Sequence, residues 1–145
     1  MILLDTNVIS ELVRRQPEPA VETFLQSQPP LSIYTASVCE AEIRYGLARM
    51  PAGRRRNELT RRTIELFATA FPDRILTFDS SAADLYGVIR ASRGRAGRPI
   101  SVEDAMIAAI ARAYGVTIAT RNEHDFVGCG VHVINPWSPG ALQQQ

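Results

Sequence analysis

The sequence contains no lysine, and all 16 of its basic residues are arginine. The absence of lysine excludes a P-loop nucleotide site, which needs a Gly-Lys pair at the end of its glycine-rich loop. It also argues against a phospho-acceptor receiver domain, an α/β fold whose acidic site relies on a nearby lysine. A GC-rich genome would explain the arginine bias, and so would contact with phosphate or carboxylate groups, which arginine suits.

Histidine and cysteine are also scarce, with two residues of each type. His124 and His132 are too few for a typical zinc site, and Cys39 and Cys129 do not have the spacing of metal ligands. We expect both cysteines to be buried, reduced thiols, as is usual in a cytoplasmic protein. His124 is expected at the surface beside Asp125.

Long apolar runs are missing, so we expect no membrane-spanning segment and no membrane partner. Met1 leads directly into a predicted strand, without the basic stretch and cleavage site of a signal peptide. A cytoplasmic location is therefore expected. At 145 residues, with 46% hydrophobic and 21% charged residues, the chain is expected to form one globular domain.

Predicted strands and helices alternate along the whole chain. Strands are expected at 1–4, 31–37, 74–79, 116–120 and 131–136, and helices directly after Asp5 and at 20–27, 38–50, 57–71, 81–92 and 101–115. This alternation predicts an α/β fold with a central, mainly parallel twisted sheet that has helices on both faces. We assign residues 1–137 to the domain and expect a frayed tail at 138–145.

The first predicted strand ends at a carboxylate, Asp5, and a helix follows at once. One interpretation is a helix N-cap, a position that aspartate fills well. The other is a functional acid at the carboxyl edge of a parallel sheet, where open α/β folds place their sites. Asn7 stands where a haloacid-dehalogenase-like phosphatase needs its second aspartate, which argues against that class.

Further acids are expected near the same sheet edge. Glu42 lies one turn into the helix after the second strand, Asp104 lies in the first turn of its helix, and Asp125 follows the fourth strand. Asn122 lies closer to the end of that strand than Asp125 does.

Each of these acids also has a structural interpretation. Glu42 would form an ion pair with Arg44 or Arg121, and Asp104 would belong to a capping box that starts at Ser101. Asp125 would cap a helical turn. The neighbouring acids Glu40 and Glu103 point elsewhere on a helix and are expected to be solvated.

A cluster of three or four carboxylates needs protonation or a cation. Two unit charges about 4 Å apart repel by roughly 4 kcal/mol at an effective dielectric constant of ~20. Several such repulsions would exceed the stability of most small domains. An all-oxygen ligand set suits Mg²⁺ or Mn²⁺, and hard metals on carboxylates usually act on phosphate esters. The residues therefore predict metal-dependent nuclease chemistry.

Four blocks of the sequence, in order and with suitable spacing, resemble PIN-domain ribonucleases of the VapC type. The blocks are "MILLDTNVISEL", "AEIRYGLARMP", "EDAMIAAIA" and "IATRNEHDF…VINPW". VapC proteins are the toxin halves of bacterial toxin–antitoxin pairs. The resemblance implies an Mg²⁺-dependent endoribonuclease, with Mn²⁺ as a substitute, that cuts tRNA or rRNA. It further implies a cognate antitoxin protein, a homodimer and a toxin–antitoxin hetero-oligomer.

The resemblance also implies which residues form the site. Asp5 and Asp104 would hold the metal directly, and Glu42 would complete the site or orient the attacking water. Some relatives have an acid at the position of Asn122 and others use the position of Asp125, so the fourth site position stays open between these two residues. The residues with implied polar roles around the acids are Thr6, Asn7 and Thr120.

The arginines are concentrated in two segments. Residues 54–62 hold five of them and are expected to form a solvated helix face or a surface for an acidic partner. Residues 90–98 hold four, with two glycines and no apolar periodicity, which predicts a mobile basic loop. Since this segment precedes the helix of Asp104, it is a candidate contact for RNA phosphates. The candidate RNA-binding residues are Arg93, Arg95, Arg98 and Arg121.

A competing hypothesis is a catalytically silent PIN module that binds RNA or a DNA-binding antitoxin partner. The sequence retains the acids that the resemblance requires, except where Asn122 leaves the fourth position open. The enzyme is therefore the favoured interpretation.

Overall fold

Five short parallel strands form the central sheet in a computed structural model that describes residues 1–138 and 140–141. The strands are β1 (Ile2–Leu4), β2 (Ile33–Ala36), β3 (Ile75–Leu76), β4 (Thr117–Ala119) and β5 (Val133–Ile134). Their order across the sheet is β3-β2-β1-β4-β5, and every neighbouring pair is parallel. The predicted α/β architecture is therefore confirmed.

Helices connect the strands. They are α1 (Thr6–Leu12), α2 (Pro19–Gln26), α3 (Ser37–Ala48), α4 (Arg54–Ala70), α5 (Ser80–Arg95) and α6 (Val102–Tyr114). Two 3-10 turns lie at Pro30–Ser32 and Glu123–Phe126. Because all the strands are parallel, their carboxyl ends lie at one edge of the sheet, and the segments that follow β1 and β4 start side by side.

The central strands are apolar because both faces of the sheet are covered. Leu3 in β1 pairs in register with Tyr34 of β2 on one side and with Ile118 of β4 on the other. Leu3 and Ile118 are fully buried. β1 therefore holds the residue that follows it in a fixed position at the middle of the sheet edge.

α6 is the helix that the sequence predicts most clearly. Its alanine-rich sequence favours helix formation, and residues 107–111 are all buried. α5 packs along α6. Gly115 ends α6 with a left-handed conformation at φ 65°, in which any other residue would be strained.

Most elements differ in their bounds from the sequence predictions, and the strands are generally shorter than expected. α2 begins at Pro19, since proline suits the first turn of a helix, and the 31–37 strand is shortened by the proline-started turn Pro30–Ser32. Only Ile75–Leu76 of the predicted 74–79 strand pairs with β2. The rest of that segment leads to Asp79, whose side chain caps α5 by accepting from the Ala82 N–H at 3.0 Å.

The predicted loop at 90–98 is wrong for residues 90–95. α5 continues through Gly94 to Arg95, and the side chain of Arg93 is buried. Packing against α6 and the hydrogen bonds of Arg93 outweigh the cost of about 1 kcal/mol for a glycine within a helix. Most of the basic segment is therefore the end of a packed helix, and only residues 96–98 lie beyond it.

The end of the chain is described only in part. Pro139 and residues 142–145 lie outside the described residues, so the frayed tail at 138–145 and the domain boundary at 137 stay predictions. Among the described residues, Ala141 is buried and its N–H donates to the carbonyl of Ser138 at 3.1 Å. None of the described helices has the length and apolar character needed to cross a membrane.

Candidate metal and active site

Asp5 is both a helix cap and a buried acid at the sheet edge. Its N–H donates to the carbonyl of Ala119 in β4 at 3.1 Å, and its Oδ1 accepts from the Val8 N–H at 3.1 Å. Burial raises the pKa of Asp5 from 3.8 to about 6, although the Thr120 hydroxyl opposes this shift. The charge of Asp104 raises the pKa further. Asp5 therefore acts as the N-cap of α1 and is at the same time a buried acid at the sheet edge.

Glu42 is held beside Asp5 by a threonine. It lies on α3, half buried, and its Oε2 accepts a hydrogen bond from the hydroxyl of Thr6, the residue that follows Asp5. Burial raises the pKa of Glu42, the Thr6 hydroxyl lowers it, and the charges of Asp104 and Glu103 raise it. The predicted polar role of Thr6 thus has a structural basis.

Neither Arg44 nor Arg121 forms the expected ion pair with Glu42. Arg44 pairs with Glu40 on the outer face of α3, with Nη2 2.7 Å from Oε1. The guanidinium of Arg121 lies 5.2 Å from the ring centre of Trp137. The carboxylate of Glu42 is therefore bound by a neutral hydroxyl, which leaves its charge in place.

Asp104 lies in the first turn of α6, half buried. Ser101 caps the helix by accepting from the Asp104 N–H at 3.1 Å, as the capping interpretation expects. Burial raises the pKa of Asp104, and the charges of Asp125 and Glu103 raise it further. The Ser101 hydroxyl and the guanidinium of Arg93 lower it. The charge of Asp104 thus interacts with acids on several other segments.

Asp125 lies on the 3-10 turn that follows β4, and Asn122 immediately precedes that turn. Asp125 is partly exposed, and its Oδ1 lies 3.1 Å from Nε2 of His124, which confirms the expected surface histidine. Asn122 is exposed, and its N–H donates to Oγ1 of Thr120 at 3.0 Å. The charge of Asp125 raises the pKa of Asp104, which favours Asp125 over Asn122 as the charged member of the site. The choice between them stays a prediction.

Asp104 links the other three acids electrostatically. Asp104 raises the pKa values of Asp5 and Glu42, and Asp125 raises that of Asp104. The set contains only oxygen donors and carries several like charges, which suits a hard divalent cation. Within the described residues, no three His, Cys, Asp or Glu side chains already lie close enough together to hold an ion. The individual ligands therefore stay predictions.

Glu103 lies nearer to the site than its helical position suggests. It is exposed, as expected, but it lines a groove of about 460 Å³ together with Glu42, Tyr45 and Phe78. Its charge raises the pKa values of Glu42 and Asp104. The sequence contains no signal for this, because the proximity arises from the packing of α3 against α6.

A second groove reaches Glu42 from the other side. It also has a volume of about 460 Å³ and lies between α1, α3 and α4. Its lining includes Thr6, Arg14 and Arg55. Glu42 therefore lines two separate grooves.

The predicted RNA-binding arginines have different environments. Arg95 and Arg98 are exposed, and Arg121 is exposed beside the Trp137 ring. Arg93 is 8% exposed, and its guanidinium donates to backbone carbonyls, so this side chain is not free to contact phosphate. The other predicted polar residues are Asn7, whose N–H lowers the pKa of Asp5, and Thr120, which is fully buried.

Both cysteines are free and buried, as expected. Burial raises the pKa of Cys39 to about 12, and burial also raises the pKa of Cys129. Neither thiol is therefore suited to act as a nucleophile or a metal ligand.

Comparisons with known proteins agree with this geometry. The profile of the PIN domain family matches residues 2–127. The VapC ribonuclease Y4jK of Sinorhizobium fredii is 40% identical over 139 residues, which cover 96% of this chain and 99% of that protein. Toxin FitB of Neisseria gonorrhoeae is 39% identical over 94% of this chain and 99% of that protein. The structure of FitAB bound to an IR36 DNA fragment matches with a TM-score of 0.87 at 39% identity, covering 95% of this chain and 96% of that one.

Proposed function

The chain belongs to the PIN-domain family, and on this basis we propose that it is a metal-dependent endoribonuclease toxin of the VapC type. The observation that carries this proposal is the set of charge interactions between Asp104 and the other acids. The charge of Asp104 acts on Asp5 and Glu42, and the charge of Asp125 acts on Asp104, at the carboxyl edge of the sheet. This electrostatic coupling supports one site built from acids that are far apart in the sequence.

The nucleases of this family depend on a metal ion. For this chain we propose Mg²⁺, with Mn²⁺ as a substitute, because the site offers carboxylate oxygens. A bound divalent cation would offset the charge of the phosphodiester and lower the pKa of a water molecule. Asp5 and Asp104 would hold the cation directly.

The remaining polar residues have supporting roles in this proposal. Glu42, fixed by the Thr6 hydroxyl, completes the cation site or orients the attacking water. Asp125 and Asn122 occupy an outer position on the turn after β4. Hydrolysis by an in-line water would leave a 5′-phosphate and a 3′-hydroxyl on the two RNA fragments.

The relative FitB is named a toxin, and its solved complex is FitAB on DNA. We therefore propose that this chain also has a protein antitoxin that covers the acidic site. The grooves on either side of Glu42 give such a partner access to the acids. A homodimer and a cytoplasmic location remain predictions, and sedimentation of the purified chain tests the first of them.

The direct test is RNA cleavage by antitoxin-free protein. Total tRNA and rRNA would be incubated with wild type in Mg²⁺ and in EDTA, and with Asp104→Asn and Asp84→Asn. Asp84 is an exposed acid on α5 and serves as the control for loss of one negative charge. We expect cleavage by wild type and by Asp84→Asn in Mg²⁺ only, and none by Asp104→Asn. Binding of RNA without cleavage by the wild type would favour the silent module instead.

A further inference from the structure

Arg93 joins the end of α5 to the turn that carries Asp125. Its Nε donates to the Arg98 carbonyl at 2.6 Å, and its Nη1 donates to the carbonyls of Asp125 at 2.7 Å and Val127 at 2.8 Å. Nη1 also lies 3.6 Å from Sγ of Cys129. The side chain is 8% exposed. A permanently charged group is therefore buried against backbone dipoles of a segment more than 30 residues away.

These contacts fix the backbone of the turn. The Asp125 N–H donates to the Asn122 carbonyl at 3.1 Å, so the Asp125 peptide is held on its N-terminal side by the turn and at its carbonyl by Arg93. Gly128, with φ +79°, follows immediately, and a Cβ there would lie 3.8 Å from Cδ of Arg93. The chain thus passes close to the arginine on both sides of Val127.

The carboxylate of Asp125 makes fewer contacts than its backbone does. It is partly exposed, and its ion-pair partner is the exposed His124, at 3.1 Å. Such exposed pairs contribute at most about 1 kcal/mol. The position of the carboxylate therefore depends mainly on the backbone from which it extends.

Arg93 brings a positive charge to the turn of Asp125 in addition to its hydrogen bonds. Burial of a guanidinium is costly unless its donors are satisfied, and here Nη1 donates to two carbonyls of one short turn. The same charge lies near Asp104, where it opposes the repulsion from Asp125. Arg93 thus affects Asp125 by holding its backbone and Asp104 by the charge of its guanidinium.

We propose that Arg93 is a positioning residue of the candidate site: by holding the Asp125 and Val127 carbonyls, it fixes the backbone from which the Asp125 carboxylate extends. Arg93 does not touch the substrate in this arrangement. Its effect on cleavage rests on the proposed function, whereas its effect on the turn does not.

The test compares Arg93→Gln and Arg93→Lys with a matched arginine clamp elsewhere. Arg74 also donates to two backbone carbonyls, those of Ile33 at 3.0 Å and Ala70 at 2.7 Å, on the side of β3. Arg74→Gln therefore controls for the loss of an arginine that joins two segments. Arg93→Lys retains the charge and tests partial rescue if the glutamine variant does not fold.

Two readouts are needed. In hydrogen–deuterium exchange, we expect faster exchange of residues 122–129 in both Arg93 variants than in wild type, and no such change in Arg74→Gln. In cleavage of RNA, we expect kcat to fall about tenfold to a hundredfold in Arg93→Gln, less in Arg93→Lys, with KM changed less than about twofold.

Specific results would overturn the proposal. Unchanged exchange at 122–129, or a loss of activity in Arg93→Gln no greater than in Arg74→Gln, would show that Arg93 does not position the turn. A rise in KM with constant kcat would instead assign Arg93 to RNA binding. Wild-type protein that fails to cut RNA would contradict the proposed function, while the exchange measurement would still decide the role of Arg93.

Discussion

The hydroxyl of Thr6 donates to the carboxylate of Glu42, which lies 36 residues further along the chain. This bond connects the start of α1 to the middle of α3, and Thr6 directly follows the buried Asp5. Two acids of the site are therefore fixed relative to each other by one side chain. The hydroxyl also favours the ionised form of Glu42, since it lowers the pKa.

Thr6→Val removes this hydrogen bond with little change in volume. We expect kcat to fall about tenfold to a hundredfold, the range typical for groups that orient metal ligands. The free energy of unfolding is expected to change by only about 1 kcal/mol, because one hydrogen bond is lost. Thr6→Ser, which retains the hydroxyl, is the control and should keep most of the activity. Equal activity of the valine and serine variants would contradict the role of Thr6.

Asp5→Asn should abolish RNA cleavage and yet stabilise the cation-free protein at pH 7. The buried carboxylate carries a pKa of about 6, so its ionisation at pH 7 costs folding free energy. The shift from 3.8 to about 6 corresponds to about 3 kcal/mol as an upper value. Asparagine retains the N-cap acceptor for Val8 and removes the charge. Urea unfolding in EDTA measures the effect, and a destabilised variant would contradict it.

The pH dependence of wild-type stability follows from the same residue. Folding raises the pKa of Asp5, so between pH 3.8 and about 6 the folded state binds more protons than the unfolded state. The free energy of unfolding contributed by Asp5 is therefore fully present below pH 3.8, falls as the pH rises through this range, and is lost above about 6. Urea titrations of wild type and Asp5→Asn in EDTA across this range give the difference. A difference that does not change with pH would refute the assignment.

The fourth position of the site can be decided by comparing Asp125→Asn with Asn122→Ala. The charge of Asp125 raises the pKa of Asp104, so we expect its neutralisation to bring this pKa closer to the ordinary value. We also expect Asp125→Asn to lower kcat about tenfold or more, and Asn122→Ala to have a smaller effect. His124→Ala, which removes the exposed partner of Asp125, is the control. A larger loss in the Asn122 variant would assign the fourth position to the asparagine.

The parts of the fold that follow from local patterns could be predicted from the sequence. The strand before Asp5 is apolar because β1 lies in the middle of a covered sheet, and Gly115 ends α6 as its position suggests. Ser101 and Asp79 are caps for the same local reason. These features depend on neighbours within a few residues.

The errors arose where distant contacts outweigh local preference. Gly94 and its arginine neighbours suggest a loop, but α5 is stabilised there by α6 and by the bonds of Arg93 to the turn of Asp125. Glu103 is exposed, as expected, but it also shares a groove with Glu42. The sequence pattern of a single segment cannot predict contacts with distant segments.

The central claim is that Asp5, Glu42, Asp104 and Asp125 form one cation site. Isothermal titration calorimetry with Mg²⁺ and with Mn²⁺ tests it most directly, on wild type, Asp104→Asn and the control Asp84→Asn. We predict binding by wild type and by Asp84→Asn, and at least about tenfold weaker binding by Asp104→Asn, since a carboxylate ligand carries much of the affinity for a hard cation. Equal affinity of all three proteins, or the absence of binding to wild type, would contradict the account.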